Sequence, residues 1–237
     1  MENDEPLIVI VDDDDAIRDA VANLLASVGI DAVGFGSPAE AERASLPDRP
    51  GCFILDVRMP GASGLDFQRQ LCTGPGRGKP VIFLTAHGDI PMSVQAMKAG
   101  AIDFLTKPFR DQTLLDAIQT AIARDRAQRK AGRICDGHLE RFAALTPRER
   151  EVMRHVAMGR LNKQIAYDLG ITEVTVKLHR SNVMRKMNLT SASDLVRSWE
   201  TIAPHLPRPV AGQSAPMSPA MTVAPPGPVG ARVACAT

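Results

Sequence analysis

A doubly wound α/β sheet of five parallel strands, followed by a separate all-α unit of four helices, is the fold the sequence predicts. Three observations predict it. Short apolar runs alternate with helical periods as far as about residue 125. Three of those runs are apolar nearly throughout, as parallel strands covered on both faces must be. From Leu139 onward every periodic stretch is helical and none resembles a strand.

The strands are read at "LIVIV" (7–11), "DAVGF" (31–35), "CFILD" (52–56), "VIFLT" (81–85) and "IDFLT" (102–106). Between them, Ile17, Ala20, Val21, Leu24, Leu25 and Val28 follow the i, i+3, i+4, i+7 rule of an amphipathic helix. Leu114, Leu115, Ile118, Ala121 and Ile122 repeat it. Such a sheet presents ligands to the carboxyl ends of its strands. Around "RDRAQRKAGRICDG" (124–137) the apolar face disappears, which predicts a helix end followed by a linker over 128–137. The chain thus divides into residues 1–127, the linker, a helical domain over 138–203, and a tail over 204–237. That tail is rich in Pro, Ala, Gly and Ser and is expected to be disordered.

A chain of 237 residues, 44% hydrophobic and 23% charged, is long enough for two domains with cores of their own. Its opening, "MENDEPLIVIV", lacks a basic n-region, and no apolar run approaches the roughly 20 residues of a spanning helix. No export signal and no membrane anchor are expected. The cysteines, Cys52, Cys72, Cys135 and Cys235, lack metal-ligand spacing, which suits a reduced cytoplasmic protein. The net charge of +1 conceals an asymmetry: residues 1–127 carry 12 basic and 19 acidic side chains, net −7, and residues 128–237 carry 16 and 8, net +8. An acidic half joined to a basic half suggests two tasks, the basic one facing a polyanion.

Four consecutive aspartates, Asp12 to Asp15, follow the first strand. Carboxylates that close repel one another, and burying them requires a cation. Strand 1 delivers Asp12 and Asp13 to the carboxyl edge, strand 3 Asp56, strand 4 Thr85, and strand 5 runs into Lys107. Mg²⁺ binds through a few carboxylates while keeping several waters. A divalent cation beside a carboxylate, an ammonium and a hydroxyl makes a site for moving a phosphoryl group: the cations and hydroxyl hold phosphate oxygens while a carboxylate attacks phosphorus. Asp14 and Asp15 fit the start of the first helix, where anions favour the positive dipole end. Each residue also has a plainer role. Asp12 and Asp13 could cap a helix, Lys107 could be a loop lysine before Pro108, Thr85 a β-former and Phe104 a core ring. His87 is read as a pocket-rim residue.

The segments "VDDD", "DVRMPGASGLDF" and "LTAHGDIPMSVQAMKAGAIDFLTKPF" resemble the receiver domain of two-component response regulators, of the FixJ-like/NarL type, across residues 7–125. The resemblance implies a flavodoxin-like receiver in which Asp56 accepts phosphate from a sensor histidine kinase. It implies that Asp12 and Asp13 hold Mg²⁺, Asp13 directly, with Asp56 and the backbone carbonyl of Arg58 as further ligands. Thr85 and Lys107 are implied to contact phosphoryl oxygens, and Phe104 is the aromatic switch position.

In the basic half, Thr146-Pro147 with Glu149 makes a capping-box start. Ala166 allows two helices to approach, Gly170 ends one helix, and Thr172 can cap the next: a helix-turn-helix over 162–181. On the last of these helices Val176, Val183 and Met187 share one face, while Leu178, Ser181 and Arg185 lie opposite, flanked by Lys177 and Asn182. Such a face suits a major groove, apolar groups meeting thymine methyls and Arg, Lys and Asn reaching base edges or phosphates. Arg160, Lys163 and Arg180 are placed for backbone phosphates. The plainer alternative is a solvated charged face, and His179 reads as a packed helix residue. Residues 138–203 resemble the LuxR-type helix-turn-helix, which implies double-stranded promoter DNA as partner and a fourth helix serving dimer contacts.

The chain is therefore expected to be a non-enzymatic regulator that is phosphorylated on Asp56, dimerises and regulates transcription, activation being the tendency of the family, with RNA polymerase a further partner. A metal-dependent phosphatase is a rival, but a dedicated hydrolase needs a second acid two residues past the nucleophile, where Arg58 stands. A constitutive DNA-binding protein whose acidic half merely dimerises is another.

Overall fold

The computed structural model of the chain describes residues 4–71, 78–86 and 89–207. Five parallel strands, β1 (Leu7–Val11), β2 (Asp31–Phe35), β3 (Gly51–Asp56), β4 (Val81–Thr85) and β5 (Asp103–Thr106), form one sheet in the order β2-β1-β3-β4-β5. They match the sequence expectation to within one residue at either end. Leu7 pairs with both Asp31 and Gly51, so the order reverses at β1 and opens a crevice between β1 and β3 at their carboxyl ends.

Helices α1 (Asp15–Ser27), α2 (Pro38–Arg43), α3 (Gly64–Leu71), α4 (Ile90–Lys98) and α5 (Asp111–Ala143) cover the sheet. The two faces of each strand feed two separate cores, as the period of 2 requires. Ile8, Ile10, Ile54 and Ile82 pack with Val21 and Leu25 of α1 and with Leu114 and Ile118 of α5. Val9, Val11, Phe53 and Phe83 pack with Phe67 of α3 and Ala96 of α4. Each such buried aliphatic side chain contributes roughly 1.5–3 kcal/mol.

The segment 128–137, expected to be a linker, is helical. It belongs to α5, which runs unbroken for 33 residues. Its apolar face does lapse after Ile122, as the sequence suggests, but contacts at either end of the lapse hold the helix. Asp125, buried, accepts hydrogen bonds from the Gly51 amide (2.9 Å), Lys79 (3.0 Å) and Arg129 Nε (3.0 Å). Farther on, Leu139 and Phe142 join the core of the helical domain. Tertiary contact overrides a weak local pattern here.

That domain comprises α6 (Pro147–Ala157), α7 (Asn162–Leu169), α8 (Glu173–Lys186) and α9 (Ala192–Ile202), the four helices expected, and among the described residues from Leu139 onward there is no strand. Val152, Met153, Ile165, Val176, Val183, Met187 and Leu195 fill its centre with the end of α5. The first residues of the expected tail are ordered: Ala203–His205 form a 3₁₀ turn, and Leu206 packs on this core. Residues 208–237, with Cys235, lie outside the described residues, as do Cys72 and His87. No helix among the described residues is long and apolar enough to cross a membrane.

The start of α9 carries a capping box in which Ser191 and Asp194 exchange bonds, and Asp194 also accepts from Thr190 and Arg197. Bonds from Ser191, Thr190 and Arg197 hold the Asp194 carboxyl well below the usual carboxylate range. A depressed folded pKa contributes stability that is present above the unfolded pKa and is lost as pH falls toward the folded one. Asp194→Asn is therefore expected to lower the thermal midpoint at pH 7, with the difference from the parent narrowing as pH drops below about 4. Thermal unfolding followed by circular dichroism across that range checks it.

Candidate functional site

Four strand ends converge at the crevice. Asp12 follows β1, Asp56 ends β3, Thr85 ends β4, and Lys107 follows β5 directly. Asp12, Asp56 and Thr85 are buried, because each continues a strand packed on both faces. The Lys107 ammonium lies between two carboxylates, 2.5 Å from Asp12 Oδ2 and 2.8 Å from Asp56 Oδ2. Its own amide donates to the Thr85 carbonyl at 2.7 Å, which fixes the base of the lysine against β4.

Asp12 Oδ1 accepts from the Asp14 amide at 3.0 Å, and Asp14 in turn caps α1 by accepting from Ala16 at 2.9 Å. Asp15, the first helical residue, pairs with Arg18. The acidic run thus divides as its positions suggest, Asp14 and Asp15 serving the helix. Asp13 remains exposed and turns a carboxylate toward Asp12 and Asp56. One oxygen from each of the three lies within 4.8 Å of the others. Three hard oxygen donors around one point fit a small divalent cation that keeps part of its water shell.

Burial pushes the Asp12 carboxyl above its ordinary value and outweighs the hydrogen bond from Lys107. Burial also disfavours the Lys107 ammonium, but the bonds to Asp12 and Asp56 prevail and hold it above the usual lysine range. The pocket is a place where negative charge is costly and one fixed ammonium relieves it. A second cation would find donors already assembled.

The Asp56 peptide is held from behind. Asp56 Oδ1 accepts from the Arg58 amide at 3.1 Å, at the start of a short antiparallel hairpin, Arg58–Met59 with Ala62–Ser63. Gly64 then passes so close that a Cβ there would sit 2.0 Å from the Asp56 carbonyl oxygen. Its amide donates to Val57 at 3.0 Å. Gly64 is a site-forming residue that composition and periodicity do not disclose; only its place in "GASGLDF" hints at it. Phe104 is half-buried and packs on Phe83, with ring centroids 6.1 Å apart.

The helical domain presents a second candidate surface. Gly170 takes the left-handed conformation (φ 63°, ψ 36°) that ends α7, and Thr172 caps α8 by accepting from Thr175 at 3.2 Å. Val176, Val183 and Met187 are wholly buried. Opposite them Lys177, Leu178, Ser181 and Arg185 are exposed, Leu178 to 60%. Lys163 is exposed on α7, and Arg160 is exposed just before it. Arg180 and Asn182 are half-buried: Arg180 donates to Asn162 at 2.7 Å, tying α8 to the start of α7, and Asn182 accepts from Arg185 at 3.3 Å. His179 is packed, its Nδ1 buried without a hydrogen bond.

Two features of this surface escaped the sequence reading. Val174, 75% exposed, extends the apolar strip of Leu178 by one turn, and i−4 spacing alone would have found it. Glu149, expected only to cap α6, is buried and also binds Lys186 of α8 at 2.7 Å. Burial acts to raise its carboxyl, but Lys186 and the Thr146 bonds hold it below the ordinary range. That contact spans 37 residues and leaves no periodic trace.

A family model for the response regulator receiver domain matches residues 8–119, and one for bacterial regulatory proteins of the luxR family matches residues 143–199. Nodulation protein W of Bradyrhizobium diazoefficiens is 49% identical over 196 residues, 83% of this chain and 86% of that protein. The transcriptional regulatory protein FixJ of Azorhizobium caulinodans is 44% identical over 191 residues, 79% of this chain and 89% of that one. The solved structure of the response regulator StyR is similar with a TM-score of 0.69 and 46% identity, covering 83% of this chain and 98% of that one. With a receiver sheet, a helix-turn-helix and relatives that align across both, the chain belongs to the two-component response regulators that carry a luxR-family DNA-binding domain.

Proposed function

We propose that the chain is a phosphorylation switch for transcription, with Asp56 as phosphoacceptor. One observation carries this reading: a single ammonium, Lys107, is bonded to both Asp12 and Asp56 while Asp13 faces the same point. In the step proposed, an Asp56 oxygen attacks the phosphorus of a kinase phosphohistidine. The new O–P bond forms as the N–P bond breaks, and the departing imidazole takes a proton. Lys107 and the Thr85 hydroxyl bind the transferred oxygens. Asp12, Asp13, Asp56 and the Arg58 carbonyl would hold Mg²⁺, which when bound offsets charge on the phosphoryl group.

Arrival of phosphate draws Thr85 inward, and Phe104 moves into the space beside it. These shifts bias an existing equilibrium rather than create a new state. The α4 surface beside β5 supports a dimer as the output, since Ile90, Val94 and Met97 lie at i, i+4 and i+7 and are 80%, 44% and 47% exposed. Pairing places two copies of α8 on adjacent half-sites, with Lys177, Leu178, Ser181, Asn182 and Arg185 toward base edges and Lys163 and Arg180 toward phosphates. Activation through RNA polymerase is the output this reading favours. Residues 1–127 and 138–203 are the two functional units, and α5 joins them.

Two measurements test the proposal. Full-length protein incubated with acetyl phosphate and Mg²⁺ should gain the mass of one phosphoryl group on the peptide containing Asp56. Footprinting should then show tighter promoter protection with the donor than without it. Unmodified mass, or protection indifferent to the donor, refutes the switch. For the DNA face, Lys163→Ala should weaken binding about equally across sequences and reduce the salt slope by about one, whereas Leu178→Ala should change base preference. Electrophoretic titrations at several salt concentrations distinguish these outcomes.

A further inference from the structure

At the edge of the sheet away from Asp56, a cavity of about 810 Å³ opens between α2, residues 44–49 and α3. Its origin is geometric. The helix α2 has only six residues, about 9 Å of length, against strands of five residues that extend about 17 Å. Among the described residues the sheet face beneath its end has no helical cover, and an irregular segment skirts the gap. Val9, Phe53, Phe67 and Leu71 line it and are all buried side chains. The two rings meet edge to face at 5.9 Å.

The rim is pinned from several directions. Arg49 pairs with Asp31 at 2.6 Å and donates to the Glu5 and Pro6 carbonyls at 2.9 and 3.2 Å. Lys79 donates to the Arg49 carbonyl at 2.5 Å and to Asp125 at 3.0 Å. Asp48 pairs with Arg129 of α5 at 2.5 Å. A rim fixed in this way resists collapse into the gap. Of its charged lining residues, Asp48, Arg49 and Lys79 each answer a partner within the protein and Glu42 is exposed to solvent, so the buried part of the wall is apolar.

We propose that this cavity binds a small, uncharged, apolar molecule. The volume lies within the ~300–1,000 Å³ of small-molecule sites, whose walls are mainly hydrophobic with few polar groups. An anion would lose hydration without gaining a counter-charge, since Arg49 and Lys79 are already paired, and a cation would meet only the solvated Glu42. Binding does not involve a covalent bond to Cys52, the thiol that lines the cavity among the described residues, because it is buried and its pKa is pushed up to about 12. The pairs Asp48–Arg129 and Lys79–Asp125 run from the rim onto α5, so an occupant bears on the helix that leads to the DNA-binding domain.

The test uses the full-length protein and the uncharged fluorophore N-phenyl-1-naphthylamine, with the anionic 1-anilinonaphthalene-8-sulfonate as comparison. Saturable one-site binding of the neutral dye, tighter than the anion, is expected. Ala44→Trp, which projects a ring into the rim, should weaken it at least tenfold while phosphoryl uptake from acetyl phosphate is retained. Ser45→Trp fills the gap from the neighbouring position and serves if the first variant does not fold. Absence of saturable binding, an anion bound as tightly as the neutral dye, or binding undiminished in the filled variants overturns the proposal. Displacement of the dye as the protein self-associates assigns the cavity to a second copy and likewise overturns it.

Discussion

Asp56→Asn is expected to leave the protein unable to take up a phosphoryl group from acetyl phosphate, with a DNA affinity that no longer responds to that donor. The amide keeps the shape of the side chain but lacks the anionic oxygen that the proposed transfer requires. Lys107 retains Asp12, so the fold loses only one of two ion pairs in the pocket. In the parent the donor should raise promoter affinity about tenfold, within the 5–150-fold range of ordinary coupling between sites. In the variant that ratio should be one. Intact-mass measurement with and without the donor, followed by binding titrations on the same samples, checks both halves. Continued uptake by the variant would move the acceptor elsewhere and remove the basis of the switch.

Lys107→Ala should have the largest effect on stability. Only 13% of the lysine side chain and 2% of the Asp12 side chain are exposed, so deletion leaves two carboxylates facing each other in a poorly solvated crevice. Breaking a buried pair in this way costs about 3 kcal/mol or more. Divalent cation should return part of that loss, since the oxygens that held the ammonium become available to the ion. Chemical denaturation in EDTA and in Mg²⁺ should therefore show a larger metal-dependent gain for the variant than for the parent. Phosphoryl uptake should be lost in both conditions, because the ammonium bonded to Asp56 is gone. Equal stability of parent and variant in EDTA would mean that Lys107 does not neutralise the pair.

Much of this pocket was legible in the sequence because its residues sit on strand ends. Apolar runs of four or five residues that end in Asp12, Asp56 and Thr85 are visible without coordinates, and Lys107 directly follows the strand "IDFLT". The helix-turn-helix was legible for a related reason: Gly170, Thr172 and the inward period of Val176, Val183 and Met187 are local signals. Contacts between distant segments were not legible. Gly64 lies against Asp56 through a fold-back, Glu149 meets Lys186 across two helices, and Asp125 gathers Gly51 and Lys79 from elsewhere in the chain. The same blindness accounts for the segment 128–137, where local periodicity fails and the anchors lie at positions 125, 129 and 142. Its exposed backbone amides are satisfied within the helix, which needs no apolar face of its own once both ends are tied.

That tied helix has a mechanical corollary. Fixed to the receiver at Arg129 and packed into the second domain from Leu139, α5 forms an arm about 15 Å long that can serve as a lever between its two anchors. A tilt of about 10° at the receiver end would carry the far end by roughly 3 Å, close to the ~3.4 Å axial rise per nucleotide of duplex DNA. Gly132 and Gly137 fall within the arm, and an added methyl group at Gly132 would touch nothing within 4 Å. Neither crowding nor an unusual turn requires glycine at that position, so its presence makes the lever compliant: the arm can yield as well as transmit.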